Sequence, residues 1–342
     1  MKILSTFTGI GGFEIGIQNA YRSTNGRGES GAPSDEQIDG QGLWHSPVQD
    51  ANTAQRSVGA NITDEANNRP SFVGYSEIDE YAISVYEKHF KGAKNYGDIT
   101  KLNTDDLPEF DCIVGGFPCQ AFSIAGQRRG FEDTRGTLFF ELARILRAKQ
   151  PRLFVFENVK GLLSHDGGRT FATIITTITE LGYDAQWQVI NSKDHGVPQN
   201  RERIIIVGNL RGTPRPQVFP LDGAKGKDIA RLNNPRHSTD RVYDVIGAGP
   251  AISTMQGGGR QPYIKAGSSR EENTTHPLTV GMEIRKLTPL ECERLQAFPD
   301  DWTKYDVMGN RISDTQRYKM AGNAVTTNVI QAVFERIFES EQ

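Results

Sequence analysis

The chain has 342 residues, 36% of them hydrophobic and 24% charged, with a formal net charge of −3. That length suits one large domain plus a smaller one, and no apolar run approaches the length that crosses a bilayer; the weak acidity leaves any nucleic-acid contact to a local basic face. Three cysteines are too few and odd in number for a disulfide framework and point to a reducing cytoplasm, the start "MKILSTFTGIGG" has no export-signal core, and six histidines without CxxC or HxxxH spacing predict no metal site.

In chain order, "ILSTFTGIGGFEIGI" reads as a buried strand, a glycine turn and a helix. Residues 22–70, rich in Gly, Ser, Asn, Asp and Gln, read as an insertion, either a solvated loop or a segment that holds a partner. "VGYSEIDEYAISVYEKHF" reads as a strand end and an amphipathic helix, with Ile78, Ala82, Val85 and Tyr86 at helical spacing. Strand "FDCIV", helix "TLFFELARIL", strand "LFVFENV", helix "FATIITTITEL" and strand "RIIIVG" follow. This alternation predicts an α/β fold, a mostly parallel sheet with helices on both faces. Prolines and glycines interrupt residues 209–284, which read as a smaller domain of short strands and loops, and "KMAGNAVTTNVIQAVFERIFE" returns to a helix packed on the large domain. The expected division is a large domain of 1–208 plus 312–342, a small domain of 209–284 and a hinge segment of 285–311.

The glycine turn places backbone N–H groups at a helix start, where a charged ligand can sit. Gly9 and Gly11 match the first two glycines of GxGxxG, but Glu14 takes the third place, so an adenosine ligand without a pyrophosphate fits better than a dinucleotide. Glu77 of "SEID" and Asp98 of "GDI" read as carboxylates at successive strand ends, Glu77 accepting from ribose hydroxyls and Asp98 from an adenine amino group. Either one alone reads first as a helix cap or a surface carboxylate; their recurrence at successive expected strand ends reverses that preference. Cys119 of "GGFPCQAFS" follows a strand, two glycines and a proline, with Arg128 and Arg129 nearby in the sequence, conditions that favour a thiolate. Cys112 and Cys292 read as small buried hydrophobes. Glu157–Asn158–Val159 closes the next apolar strand, and a thiol and a carboxyl at neighbouring strand ends form a constellation for covalent catalysis.

The ordered set "FTGIGG", "SEID", "GDI", "GGFPCQAFS", "FENVKGL", "VPQNRERIIIVG", "RKLTPLECERLQAFPDDW" and "KMAGNAVTTNVI" resembles the DNA cytosine-5 methyltransferase family over nearly the whole chain, outside the insertion and most of the small domain. The resemblance implies a Rossmann-like S-adenosylmethionine-dependent methyltransferase sheet with a mainly β target-recognition domain, acting on a cytosine flipped out of double-stranded DNA. It implies Cys119 as the nucleophile at C6 of cytosine, and Glu157 as hydrogen-bond partner of N3 and the exocyclic amine. Arg203 and Arg201 of "QNRER" would lie near the target base and its phosphate, or pair as ions at the sheet edge. Asn158 would fix the catalytic loop and Pro118 its geometry. For the cofactor, it implies Phe7 stacking on adenine, Gly9 and Gly11 admitting close backbone approach, Glu77, Asp98 and Asn323 as contacts, and Pro118 and Leu138 as lining. Ser123 would begin a lid that contains Gly126, Gly130 and Gly136. Gln256, Arg260 and Gln261 are the side chains suited to purine edges, although Ala251–Ile252 stands where many relatives have Thr-Leu.

The expected protein is a cytoplasmic monomer that needs no metal and no membrane. The alternatives are the RNA-acting branch of the family, whose Cys-Phe-Thr tripeptide is absent here, a catalytically silent DNA-binding relative and, least supported, an NAD oxidoreductase.

Overall fold

The computed structural model describes residues 1–25, 69–118, 138–224, 242–243, 249–252, 263–267 and 282–342. Six strands form the main sheet: β1 (Lys2–Thr6), β2 (Ser71–Ser76), β3 (Cys112–Gly116), β4 (Leu153–Val159), β5 (Tyr183–Asn191) and β7 (Glu202–Leu210). Their order is β2-β1-β3-β4-β7-β5. The first four run parallel, whereas β7 is antiparallel to both of its neighbours, β4 and β5. The expected mostly parallel sheet therefore carries one reversed strand. Its reversal follows from the short connection out of β5, which turns the chain straight back.

Each central strand alternates which residues it sends to each face. Ile3, Cys112, Val114, Leu153, Val155, Ile205 and Val207 join one core with α1 (Gly12–Asn25) and the C-terminal helix Thr327–Glu339. Leu4, Ile113, Phe154, Phe156, Ile204 and Ile206 join the other with the helices Leu138–Lys149 and Arg169–Glu180. A third cluster packs the helix Glu80–His89 against Ile10, Tyr75, Phe298 and Trp302. In chain order these helices are α2 (Glu80–His89), α3 (Leu138–Lys149), α4 (Arg169–Glu180), α5 (Pro289–Leu295), α6 (Asp314–Asn323) and α7 (Thr327–Glu339). With both faces covered, the strands read as continuous apolar runs, which is why the sequence exposes them so plainly.

Several local readings change. α1 continues to Asn25, past the expected start of the insertion at 22. Ile78 is 70% exposed and precedes the cap of α2, while Ala82, Val85 and Tyr86 are buried as expected. No strand ends at Asp98; a single bridge between Asn95 and Tyr75 precedes it. β5 is absent from the sequence reading. It is an edge strand on which the half-buried Gln186 and Gln188 hold residues 216–221 through their amides: each binds backbone N–H and carbonyl groups, including Pro216 O at 2.7 Å and Leu221 N at 2.9 Å. That run ends where Gly223 packs on the carbonyl of Asp194, beyond the far end of β5.

Further along the chain, β8 (Val242–Tyr243), β10 (Tyr263–Gly267) and β11 (Met282–Lys286) form one sheet, while β9 (Gly249–Pro250) pairs in parallel with β6 (Gln199–Asn200). Residues 285–311 include α5, and Trp302 Nε1 donates to Ile10 O at 2.8 Å.

Candidate active site

The sheet order places β1 beside both β2 and β3, so successive crossovers leave in opposite directions and open a crevice at the strand ends. A cleft of about 540 Å³ lies there. Phe7 and Gly9 follow β1, Glu77 and Asp79 follow β2, Phe117 and Pro118 follow β3, and Glu157 and Asn158 end β4; Arg201, Arg203, Ile252, Met320 and Asn323 complete the walls.

Glycines decide how closely these ends approach. A Cβ on Gly115 would lie 2.3 Å from Thr6 Oγ1 and 2.6 Å from Thr6 O, and one on Gly116 would lie 2.8 Å from Glu157 Oε2. The pair before Phe117–Pro118 is thus a packing requirement between β1, β3 and β4. Glu157 is held by Arg203, whose Nε lies 2.8 Å from Oε1, both side chains being mostly buried. Their register explains the meeting: reversed β7 brings Arg203 opposite Val159, two residues beyond Glu157 on the same face. Asn158, buried between strands, donates from Nδ2 to Phe117 O at 2.9 Å and accepts from Val159 N at 2.8 Å. This ties the end of β4 to the residue before Pro118 and Cys119.

On the β1–β2 side, Glu77 accepts backbone N–H groups from Gly9 at 2.8 Å, Ile78 at 2.8 Å and Asp79 at 2.9 Å. A carboxylate offers about four acceptor positions, so one remains for a ligand hydroxyl. Gly9 has φ +55 and open space where a Cβ would point, whereas Phe7 adopts φ 50 despite its side chain, a conformation costing on the order of 1–2 kcal/mol. Asp79 caps α2 and its Oδ2 meets Lys319 Nζ of α6 at 2.5 Å. Burial alone would raise the Asp79 carboxyl, but Lys319 and the cap N–H groups outweigh it and hold it below its ordinary value.

Other expected site residues lie outside the cleft walls or are bound differently from expectation. Gly11 is filled from the far side, a Cβ there meeting the Phe90 ring at 2.3 Å, so it serves packing of α2. Asp98 is outside the cleft walls and bonds Thr100 through both N and Oγ1. Leu138 begins α3 and packs on the core cluster around Phe139, again outside the walls. Arg201, expected at the base and its phosphate, is 3% exposed and spends its guanidinium on the carbonyls of Ile252, Gly322 and Ala324. Burial first, then the Arg203 charge, draws its pKa down, and Glu157 opposes them. Cys119, Ser123, Gln256, Arg260 and Gln261 lie outside the described residues. Asp79, Met320 and Ile252 are wall residues that the sequence reading missed. Asp79 had a usable signal, a carboxylate opening a helix; Ile252 and Met320 look like any core residue. Cys112 and Cys292 are buried and free, burial pushing the Cys292 thiol up to about 12.

A switch-point cleft, a reversed seventh strand and helices on both sheet faces define a Rossmann-like methyltransferase sheet. The solved structures agree: the S. pombe Dnmt2 methyltransferase superposes with a TM-score of 0.65 at 16% identity, covering 99% of this chain and 98% of that one, a likeness of fold. The family model for C-5 cytosine-specific DNA methylase matches residues 63–247 and 222–339. The type II methyltransferase M1.ScrFI of Lactococcus lactis subsp. cremoris is 39% identical over 283 residues, spanning 77% of this chain and 71% of the relative. The type II methyltransferase M.HhaI of Haemophilus parahaemolyticus is 34% identical over 302 residues, spanning 78% and 86%. The chain belongs to the C-5 cytosine-specific DNA methylase family. It is a DNA (cytosine-5-)-methyltransferase whose methyl donor is S-adenosylmethionine. Among the described residues no helix is long and apolar enough to cross a membrane, and no cluster of His, Cys, Asp and Glu suits a metal ion.

Proposed function

We propose that Cys119 and Glu157 carry the chemistry and that the β1–β2 half of the cleft holds the cofactor. The observation that supports this most is the Arg203-held carboxyl of Glu157 in a cleft whose wall includes Pro118, the residue before Cys119. Cys119 Sγ, as thiolate, bonds to C6 of the cytosine; the C5–C6 π pair moves to C5, and Glu157 hydrogen-bonds N3 and the exocyclic amine, relieving the charge that gathers on the ring. S-adenosylmethionine, when bound, supplies an electrophilic methyl carbon to C5. Loss of the C5 proton then returns an electron pair to the ring, and Sγ leaves C6 as the thiolate that entered.

The cleft's own chemistry fits an adenosine-bearing cofactor. Glu77 keeps an acceptor position for a ribose hydroxyl, Gly9 leaves backbone approachable, and Phe7 and Asn323 line the same space. Asp98 needs a rearrangement of its Thr100 bonds to serve there. We assign residues 209–284 to target recognition, with Gln256, Arg260 and Gln261 reading bases in duplex DNA, residues 285–311 to the hinge, and Ser123 to the start of a lid over the flipped base. The enzyme is read as a cytoplasmic monomer, in keeping with a thiolate mechanism that needs a reducing compartment.

Incubation with duplex DNA containing 5-fluorocytosine tests this reading, because fluorine at C5 blocks the release step and traps the adduct. Wild type forms a denaturant-stable protein–DNA adduct, and Cys119→Ser binds DNA but forms none and shows no turnover. Equal turnover in Cys119→Ser refutes the nucleophile. Bisulfite sequencing of DNA from expressing cells reports the sequence modified.

A further inference from the structure

Behind the cleft a cluster of polar side chains is sealed from water: Gln199, Arg201, Gln296 and Thr326 are all buried. Pairing of β6 with β9 sets Gln199 opposite Gly249 and Asn200 opposite Pro250. Two residues beyond, Ile252 is held at both backbone groups. Its N–H donates to Gln199 Oε1 at 3.1 Å, and its carbonyl accepts from Arg201 Nη1 at 3.1 Å. The other arm of the same guanidinium, Nη2, donates to Gly322 O at 3.1 Å and Ala324 O at 2.9 Å. These carbonyls flank Asn323, a wall residue of the cleft. Gln296 closes the cluster, donating to Ala321 O at 3.0 Å and Ala324 O at 3.2 Å while accepting from Thr326 Oγ1 at 2.7 Å.

One rigid planar cation thus joins two segments that no strand or helix connects: Ile252, from which residues 253–261 depart, and the turn around Asn323. A guanidinium fixes its acceptors in one plane, which a lysine ammonium on its flexible stem does not. Arg201 has no carboxylate partner among these bonds, so the three carbonyls orient it, and a displacement of either segment costs buried hydrogen bonds.

We propose, resting on the cofactor and target-recognition readings above, that Arg201 with Gln199 couples cofactor binding to sequence-specific DNA binding. Arg201 is a positioning residue. A ligand that orders the turn around Asn323 fixes the carbonyls that hold one arm of the guanidinium, and the other arm then fixes the residue from which the base-reading segment starts. Coupling of this kind is reciprocal, so cognate DNA tightens the cofactor by the same factor.

The test measures duplex affinity of the full chain by fluorescence anisotropy, with and without S-adenosylhomocysteine, on a duplex that carries the sequence wild type modifies and on one that lacks it. In wild type the product raises cognate affinity by about tenfold or more, within the usual span of such couplings. In Arg201→Lys and in Gln199→Met the factor falls to within about twofold of unity, and the preference for cognate duplex falls with it. Gln199→Met removes the acceptor that holds the Ile252 N–H, so Ile252 is no longer kept in place for Arg201 Nη1; the Nη2 bonds to Gly322 and Ala324 stay, and S-adenosylhomocysteine alone binds within about threefold of wild type, a shift under 1 kcal/mol. A purely structural role lowers the melting temperature and weakens both duplexes together, leaving the factor intact; that result overturns the proposal. If Arg201→Lys does not fold, Gln199→Met decides by the same criterion. Binding of both ligands to wild type without coupling removes this proposal alone, whereas no binding of S-adenosylhomocysteine removes the cofactor reading and this proposal with it.

Discussion

Replacing Glu14 by Gln isolates the one buried carboxyl beneath the glycine turn. Glu14 is fully buried in the first turn of α1; its Oε1 accepts from Tyr86 OH at 3.2 Å and its Oε2 has no partner. Burial raises its pKa from 4.5 to about 7, against the smaller opposing pull of Ser5, its own backbone and Tyr86. Because the folded pKa lies above the unfolded one, the stability it contributes is fully present below the unfolded value and is lost as pH rises towards the folded value. At about 1.36 kcal/mol per pH unit, the loss from acid to pH 8 is about 3 kcal/mol, of which about 2 kcal/mol falls between pH 5.5 and 8. A glutamine has no proton to lose, so its contribution is flat. Urea unfolding of both proteins at pH 5.5, 6.5 and 8 measures this. The variant gains on wild type by about 2 kcal/mol across the range. A difference constant within about 0.5 kcal/mol refutes the assignment of a neutral, buried Glu14.

Two further substitutions, and a third as control, probe the site's frame. Asn158→Ala leaves Phe117 O and Val159 N without their side-chain partners inside the protein; urea unfolding shows a loss of about 2–4 kcal/mol, and adduct formation with 5-fluorocytosine DNA slows, since the bond to Phe117 holds the approach to Cys119. Gly115→Ala forces a methyl group to within 2.6 Å of Thr6 O and costs about 2 kcal/mol or more, whereas Gly161→Ala, with nothing nearer than 4.0 Å, changes the unfolding free energy by less than about 0.5 kcal/mol.

The central strands were legible because both of their faces are buried, which turns sequence into apolar runs such as "LFVFENV" and "RIIIVG". β5 was not, since Gln186 and Gln188 alternate with Trp187 as a solvated strand or loop would, and their use as substitutes for backbone bonding leaves no mark on composition. Around the cleft, residues whose chemistry is local could be read. Glu77 follows its strand directly, and Glu157 ends its own. Arg201 could not, because its partners are carbonyls some 50 and 120 residues away in sequence, at Ile252, Gly322 and Ala324, and carbonyls carry no residue identity. The strand end expected at Asp98 was misread for the opposite reason: a motif position suggested one where the chain makes only a single bridge.

The backward course of β7 dictates where the polypeptide goes next. Leaving β7 opposite the cleft, the chain must travel the full depth of the sheet to regain the catalytic rim at Gly223 beside Asp194. A strand of nine residues covers about 30 Å, and residues 211–222 stretch to about 40 Å at most. The tether is therefore nearly taut: excising more than about three residues would drag whatever follows away from the rim, while added length would be carried as slack on the outer flank.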